Sequence, residues 1–150
     1  MKRHASLQPL SRDHHNVLVH ARRLRGLDAR FDAPTARRRF LSYLPVLLLH
    51  FDEEERILLP HVKDAALGRR LRDEHIDLRR RAAHLASSSD GQADLGEALR
   101  LHVRFEEDLL FPHLEAAVGE AILGDLAQAG VAYRAKERPE SLTGGEACFL

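Results

Sequence analysis

Cysteine occurs once, at Cys148, so no disulfide can close within the chain, and the usage fits a reducing compartment. Tryptophan is absent and tyrosine occurs twice. Threonine (Thr35, Thr143) and isoleucine (Ile57, Ile76, Ile122) are scarce. The sequence is thereby poor in the β-branched and aromatic residues that strands need, which excludes an all-β or doubly wound fold. Neither charge is in excess, because 23 Lys+Arg stand against 23 Asp+Glu. A nucleic-acid or anionic-membrane binder would carry surplus positive charge. No long apolar run exists either. The longest, Leu44 to Leu49, contains Pro45 and is far short of the roughly 18–20 residues of a membrane span. No apolar stretch of signal-peptide length follows the basic Lys2-Arg3. A soluble, cytoplasmic protein is expected, with no nucleic-acid or membrane partner. Glycine-rich phosphate loops and nucleophile triads are also lacking.

What is present is Leu, Ala and Arg, a helix-forming composition, on a chain of 150 residues that is 44% hydrophobic, enough for one packed domain. Histidine is the unusual residue, with 10 copies. Apolar spacing predicts a helix from a Ser11 cap to about Asp28. A second follows a Thr35 cap toward Ala66, kinked or ended by Pro60. A third spans about Arg69 to Ala86, set off by Gly68. The fourth runs from about Gln92 to Val118 with Pro112 late in it, and a short fifth from Glu120 to Ala135. Residues 1–136 are expected to form a bundle with this C-terminal helix, and 137–150 a mobile tail.

The chain repeats internally. Leu10-x3-His14-x2-Val17-x3-Ala21-x2-Leu24 has the spacing of Leu71-x3-His75-x2-Leu78-x3-Ala82-x2-Leu85, and an acid (Asp13, Glu74) precedes each histidine. His50, Glu54, Glu55, Pro60 and His61 recur as His102, Glu106, Glu107, Pro112 and His113. Two helix hairpins related by a pseudo-twofold predict an all-α fold, an up-down-up-down antiparallel four-helix bundle with a short C-terminal helix.

At about 100° per residue, His50 and Glu54 share a face, as do His102 and Glu106, whereas Glu55 and Glu107 point away. His14 and His75 lie in the apolar stripes of their helices. Four imidazoles and two carboxylates thus converge on one axis. Two surface His–Glu pairs would contribute only about 0.2–0.5 kcal/mol each, and such pairing leaves their repetition in register with apolar residues unexplained. Buried ionisable groups need partners or a metal. One cation could take all six ligands. Two cations, each with two histidines and sharing Glu54 and Glu106, suit the internal symmetry better. Imidazole with carboxylate suits Fe, Mn or Zn, and the absence of thiolate argues against a structural zinc site. His15 competes with His14 but faces about 100° away. His61 and His113 suit a hydrogen-bonding role at the bundle end. His4, His20 and His84 are expected to be exposed, the arginine runs 37–39 and 79–81 to be solvated faces, and Cys148 a free thiol.

The paired His50-x3-Glu54-Glu55 and His102-x3-Glu106-Glu107, with Asp13-His14 and Glu74-His75, resemble the hemerythrin-like (HHE cation-binding) family over roughly Leu10 to Ala117. The resemblance implies a four-helix bundle around an oxo- or hydroxo-bridged di-iron centre, with His14, His50, Glu54, His75, His102 and Glu106 as ligands. Oxygen carriers of the family have a further histidine where Arg79 stands here, and an aspartate five residues after the fourth-helix histidine where this chain has Glu106 at four. The pattern therefore looks like the bacterial four-His, two-Glu type. With two histidines, two shared carboxylates and one bridging oxygen, each iron keeps an open position. The implied activity is binding or sensing of O2, NO or peroxide, or storage and donation of iron. The alternative is a di-iron oxidase or peroxidase acting on reactive oxygen or nitrogen species.

Overall fold

The computed structural model describes residues 2–138. Among them every element is helical and no strand occurs. The helices are α1 (Gln8–Leu24), α2 (Ala33–Glu53), α3 (Ala65–Ser87), α4 (Gln92–Phe105), α5 (Phe111–Ala117) and α6 (Glu120–Glu137). Beyond residues 137 and 138, the expected mobile tail and Cys148 lie outside the described residues. No described helix is long and apolar enough to cross a membrane.

The starts of α1 and α2 differ from the sequence reading for one reason. Proline is tolerated inside the first turn, where its missing N–H has no partner to lose, so the cap must precede it. Pro9 lies in the first turn of α1, which begins at Gln8 and not at a Ser11 cap. Pro34 lies in the first turn of α2, and the cap is Asp32, whose Oδ1 accepts from the Thr35 N–H at 2.8 Å. Likewise Asp64 caps α3 by accepting from Ala66 and Leu67, which leaves Gly68 inside the helix, not between helices. α1 stops at Gly26, whose φ of +72° permits the paired closing bonds Leu27 N–H to Arg22 C=O and Gly26 N–H to Arg23 C=O.

α1 packs on α2 and α4, and α3 packs on α2 and α4, so the four long helices close a ring around one axis. The α1–α4 contact is tight because of Gly96. A Cβ there would lie 2.6 Å from the Ala21 carbonyl oxygen and 3.1 Å from Leu24 Cβ. Gly96→Ala is therefore expected to destabilise the fold by about 1–3 kcal/mol despite its better helix propensity, as a lowered denaturant midpoint with an unchanged m-value would show.

The core is in two parts. One contains Val17, Phe40, Tyr43, Leu47, Leu78, Leu85 and Leu99. The other contains Leu7, Leu10, Leu58, Leu71, Leu110, Phe111 and Leu126. Along α1, His14 falls between Leu10 and Val17, and along α3, His75 falls between Leu71 and Leu78. A polar layer thus separates two apolar ones.

α2 and α4 both change pitch just after their histidines. Glu54–Leu58 and Glu106–Leu110 are wide π-helical turns, closed by Leu59 N–H to Glu54 C=O and Phe111 N–H to Glu106 C=O. Pro60 and Pro112 follow each turn. A proline removes one i→i−4 bond and clashes with the carbonyl four residues back, and a single π turn relieves both. Such turns are frequent at functional sites, and here each starts on a candidate ligand.

Candidate metal centre

All six residues singled out by the repeat are buried. His75, Glu54 and Glu106 are 0% exposed, and His14, His50 and His102 no more than 3%. They form two overlapping groups. His14, His50, Glu54 and Glu106 make one, and His75, His102, Glu54 and Glu106 the other, with the ligand atoms of each group within 4.8 Å of one another. Glu54 and Glu106 belong to both. His50 Nε2 is pressed against Glu54 Oε1, and His102 Nε2 against Glu106 Oε1. His75 Nε2 lies 3.4 Å from Glu54 Oε2, and His14 Nε2 lies 3.5 Å from Glu106 Oε2.

Whether these residues suit a cation can be judged from their hydrogen bonding. Both carboxylate oxygens of Glu54 and of Glu106, and Nε2 of His14, His75 and His102, are buried without a hydrogen-bond partner. Buried polar atoms are ordinarily satisfied. Seven converging orphans of lone-pair chemistry are what a cation would satisfy.

The outer faces of the imidazoles explain why Nε2 points inward. His14 Nδ1 meets Glu107 Oε1 at 2.7 Å, His50 Nδ1 meets Asp13 Oδ2 at 2.8 Å, and His102 Nδ1 meets Glu74 Oε1 at 2.8 Å. His75 Nδ1 lies 3.4 Å from Glu55 Oε2. An ionised carboxylate only accepts, so the Nδ1 of His14, His50 and His102 carries a proton and donates, which leaves Nε2 as the nitrogen that would meet a cation once its own proton is displaced. Glu55 and Glu107 were expected to point away from the site. They do leave the ligand face of their own helix, but they reach the histidine of the neighbouring one. The signal was in the sequence: the acids at 13 and 74, and at 55 and 107, repeat in register with the ligands.

Each outer carboxylate is held in turn by arginine. Arg79 makes two bonds to Glu55, of 2.9 and 2.5 Å. Arg70 holds Glu74, and Arg3 holds Glu107. Arg134 and Arg138 hold Asp13. Arg37 donates to the Leu85 carbonyl at the end of α3. The arginine runs are thus not merely solvated.

Charge is balanced within the cluster. Burial pulls the His14 and His75 imidazoles down, but Glu106 and the other carboxylates around them override it and leave them at about 9 and about 10. His50 is likewise raised well above its ordinary value, with burial opposed by the charge of Glu54. Burial would raise Glu107 and Glu55, yet hydrogen bonds from His14 and from His75 hold each at about 2. Glu107→Gln keeps the shape and removes the charge. It is expected to weaken metal binding by about 10–100-fold, read by competition against a chelator of known affinity.

The other histidines divide differently from expectation. His15 is exposed. His113 Nε2 accepts from the Lys63 and Asp64 N–H groups at the start of α3, and His61 is half-buried. His84 is exposed, but His4 is half-buried, with Nε2 3.1 Å from Glu120. His20, expected to be exposed, is fully buried, stacked on Tyr43 with ring centroids 4.5 Å apart. Burial, with Arg23 and Arg39 nearby, lowers it to about 4, so it is a neutral part of the core.

The chain matches the family model described as the hemerythrin HHE cation binding domain over residues 6–114. No curated protein and no solved structure matches it.

Proposed function

Because the chain belongs to the hemerythrin HHE cation-binding domain family, we propose that its buried layer holds two iron ions and uses them to bind or sense O2, NO or peroxide, or to store and donate iron. The observation that carries this is the pair of four-residue groups sharing both Glu54 and Glu106. His14 with His50 would serve one ion and His75 with His102 the other, and the shared carboxylates would serve both. Imidazole and carboxylate suit iron, with Zn or Mn as substitutes. The four long helices are taken to alternate in direction, so that each hairpin contributes one lone histidine and one His-x3-Glu pair.

Iron held there would supply redox activity and Lewis acidity. The chain's own residues do the rest. Asp13, Glu74 and Glu107 accept from Nδ1 of His50, His102 and His14 and so fix those rings, and Glu55 lies 3.4 Å from His75 Nδ1. Phe111 stacks on His14 with centroids 5.6 Å apart, and Phe51 on His75 at 4.2 Å, which excludes water from both rings. A cavity of about 130 Å3, lined by Leu10, Ile57, Leu58 and Leu126 among others, adjoins the Glu54 turn. It has room for a diatomic molecule or peroxide, whereas organic ligands occupy about 300 Å3 or more. The single cysteine and the lack of a spanning helix among the described residues support a cytoplasmic setting.

The test is metal analysis of protein from iron-replete cells, then anaerobic reduction and titration with O2 or NO. About two irons per chain and a stoichiometric optical change are expected. Catalytic consumption of peroxide or NO would favour the oxidase reading instead. Protein that takes up no iron would overturn the proposal.

A further inference from the structure

The internal repeat pairs Asp13 with Glu74, and each carboxylate holds the Nδ1 of a ligand histidine, His50 and His102 respectively. Their surroundings are not equivalent. Asp13 Oδ2 accepts from Arg134 Nη2 at 2.8 Å and from Arg138 Nη1 at 2.9 Å, and both guanidinium groups reach Oδ1 at 3.5 Å. Arg134 and Arg138 also face Glu53, which is buried beside them. Both arginines come from the end of α6 and the residue after it, beyond the residues 6–114 that the family model covers. Glu74 has instead Arg70, four residues earlier on its own helix. The exposures separate the two networks: 3% for the Arg138 side chain, 27% for Arg134 and 11% for Asp13, against 48% for Arg70 and 26% for Glu74. A cleft of about 220 Å3 between α3 and α4, lined by Arg70, Glu74, Leu101 and His102 among others, opens onto the second network.

We infer that Arg134 and Arg138 are positioning residues that make the two metal positions unequal, so that an ion at His14/His50 is held slowly exchanging and an ion at His75/His102 is the one released first. An ion leaves when its imidazoles turn away from it. His50 cannot turn without disrupting a largely buried carboxylate fixed by two guanidinium groups, one of them the buried Arg138, and a buried pair loses far more than an exposed one when broken. His102 turns against a carboxylate held by a solvent-exposed arginine, Arg70, and exposed pairs hold weakly. The α3–α4 cleft also admits water and chelator to that side. Ligand-supporting partners of this kind typically change metal affinity by about 10–100-fold.

The inference rests on the two-metal reading above, and its test keeps the two apart. The full chain is loaded anaerobically with ferrous iron and challenged with excess chromogenic ferrous chelator. Two release phases of about one iron each are expected. In Arg134→Ala/Arg138→Ala the slow phase should accelerate about tenfold or more while the fast phase is unchanged. Arg70→Ala should accelerate only the fast phase. The iron retained by His102→Ala should leave slowly, and that retained by His50→Ala quickly. Tyr133→Phe removes the α6 hydrogen bonds to Asp52 and to the Leu49 carbonyl without touching Asp13, and should leave both phases alone. Arg134→Lys in an Arg138→Ala background should restore part of the slow phase that Arg134→Ala loses. Should the double variant not fold, Arg134→Gln alone is expected to give an intermediate acceleration. Uptake of fewer than two irons overturns both readings. Two irons leaving in one phase, or a slow phase indifferent to both arginines, overturns only this one, as does equal acceleration by Tyr133→Phe.

Discussion

Replacing Glu54 by alanine is expected to reduce bound iron from about two per chain to almost none, and Glu106→Ala to do the same. Each carboxylate belongs to both four-residue groups, so either change removes a ligand from both positions at once. His14→Ala or His75→Ala takes a ligand from one position only and should leave about one iron. The difference between shared and unshared ligands is the signature of a paired site. Stability follows by linkage. At a free metal concentration a thousandfold above Kd, one bound ion stabilises the fold by about 4 kcal/mol. For a domain of this size that is roughly 2–4 °C of melting temperature per kcal/mol. The loaded wild-type protein should therefore melt well over 10 °C above its metal-free form. Glu54→Ala should show almost no metal-dependent shift. The metal-free variant should still fold, because removing a buried carboxylate relieves its desolvation penalty and the buried His50 that it keeps charged can shed its proton. Metal content by elemental analysis and paired thermal melts read both effects. Full loading of Glu54→Ala would overturn the shared-ligand arrangement.

The six residues that cluster were legible as candidates because the pattern is written twice. A histidine in an apolar stripe is ordinary once. The same histidine at 14 and 75 in the same stripe, with His-x3-Glu at 50 and 102, fixes which face of each helix looks inward. The pitch change after those glutamates was not legible, because Pro60 and Pro112 announce a disruption without saying whether the helix bends, ends or widens. His20 was misplaced because only repetition was used to sort the histidines. It lies three residues after Val17 and next to Ala21, in the same stripe, and periodicity alone would have buried it. The caps of α1 and α2 were misplaced because Ser11 and Thr35 were preferred over the residues before the nearby prolines. The hold of Arg134 and Arg138 on Asp13 could not be read at all, since it joins residues more than 120 positions apart through the docking of α6, and nothing in a local pattern specifies that docking.

Rising pH should act on the metal-free and metal-loaded proteins in opposite directions. In the metal-free fold His14 and His75 titrate at about 9 and about 10, whereas an unfolded histidine titrates near 6.5. Between those values the folded chain holds protons that the unfolded chain has released. Stability then falls as pH rises. The contribution is complete below about pH 6.5 and is lost as pH passes through about 9 to 10. On the acid side the carboxylates act with the other sign. Glu55 and Glu107 are held at about 2, so their contribution is present above the ordinary glutamate value and is lost as pH falls toward 2. His20, held at about 4 in the fold, loses its contribution as pH falls below about 6.5, so the metal-free protein should be at its most stable near pH 6.5. Metal binding removes the same protons, because only neutral imidazole ligates. Each proton displaced strengthens apparent metal affinity about tenfold per pH unit until the histidine titrates. From pH 6 to 8 the melting temperature of the metal-free form should therefore decline while the increment added by zinc grows. Loading at pH 7 should release protons into weakly buffered solution. A metal-free melting temperature that rises with pH over this range, or loading without proton release, would show that the four imidazoles are neutral before metal arrives and that the carboxylates around them hold their rings without charging them.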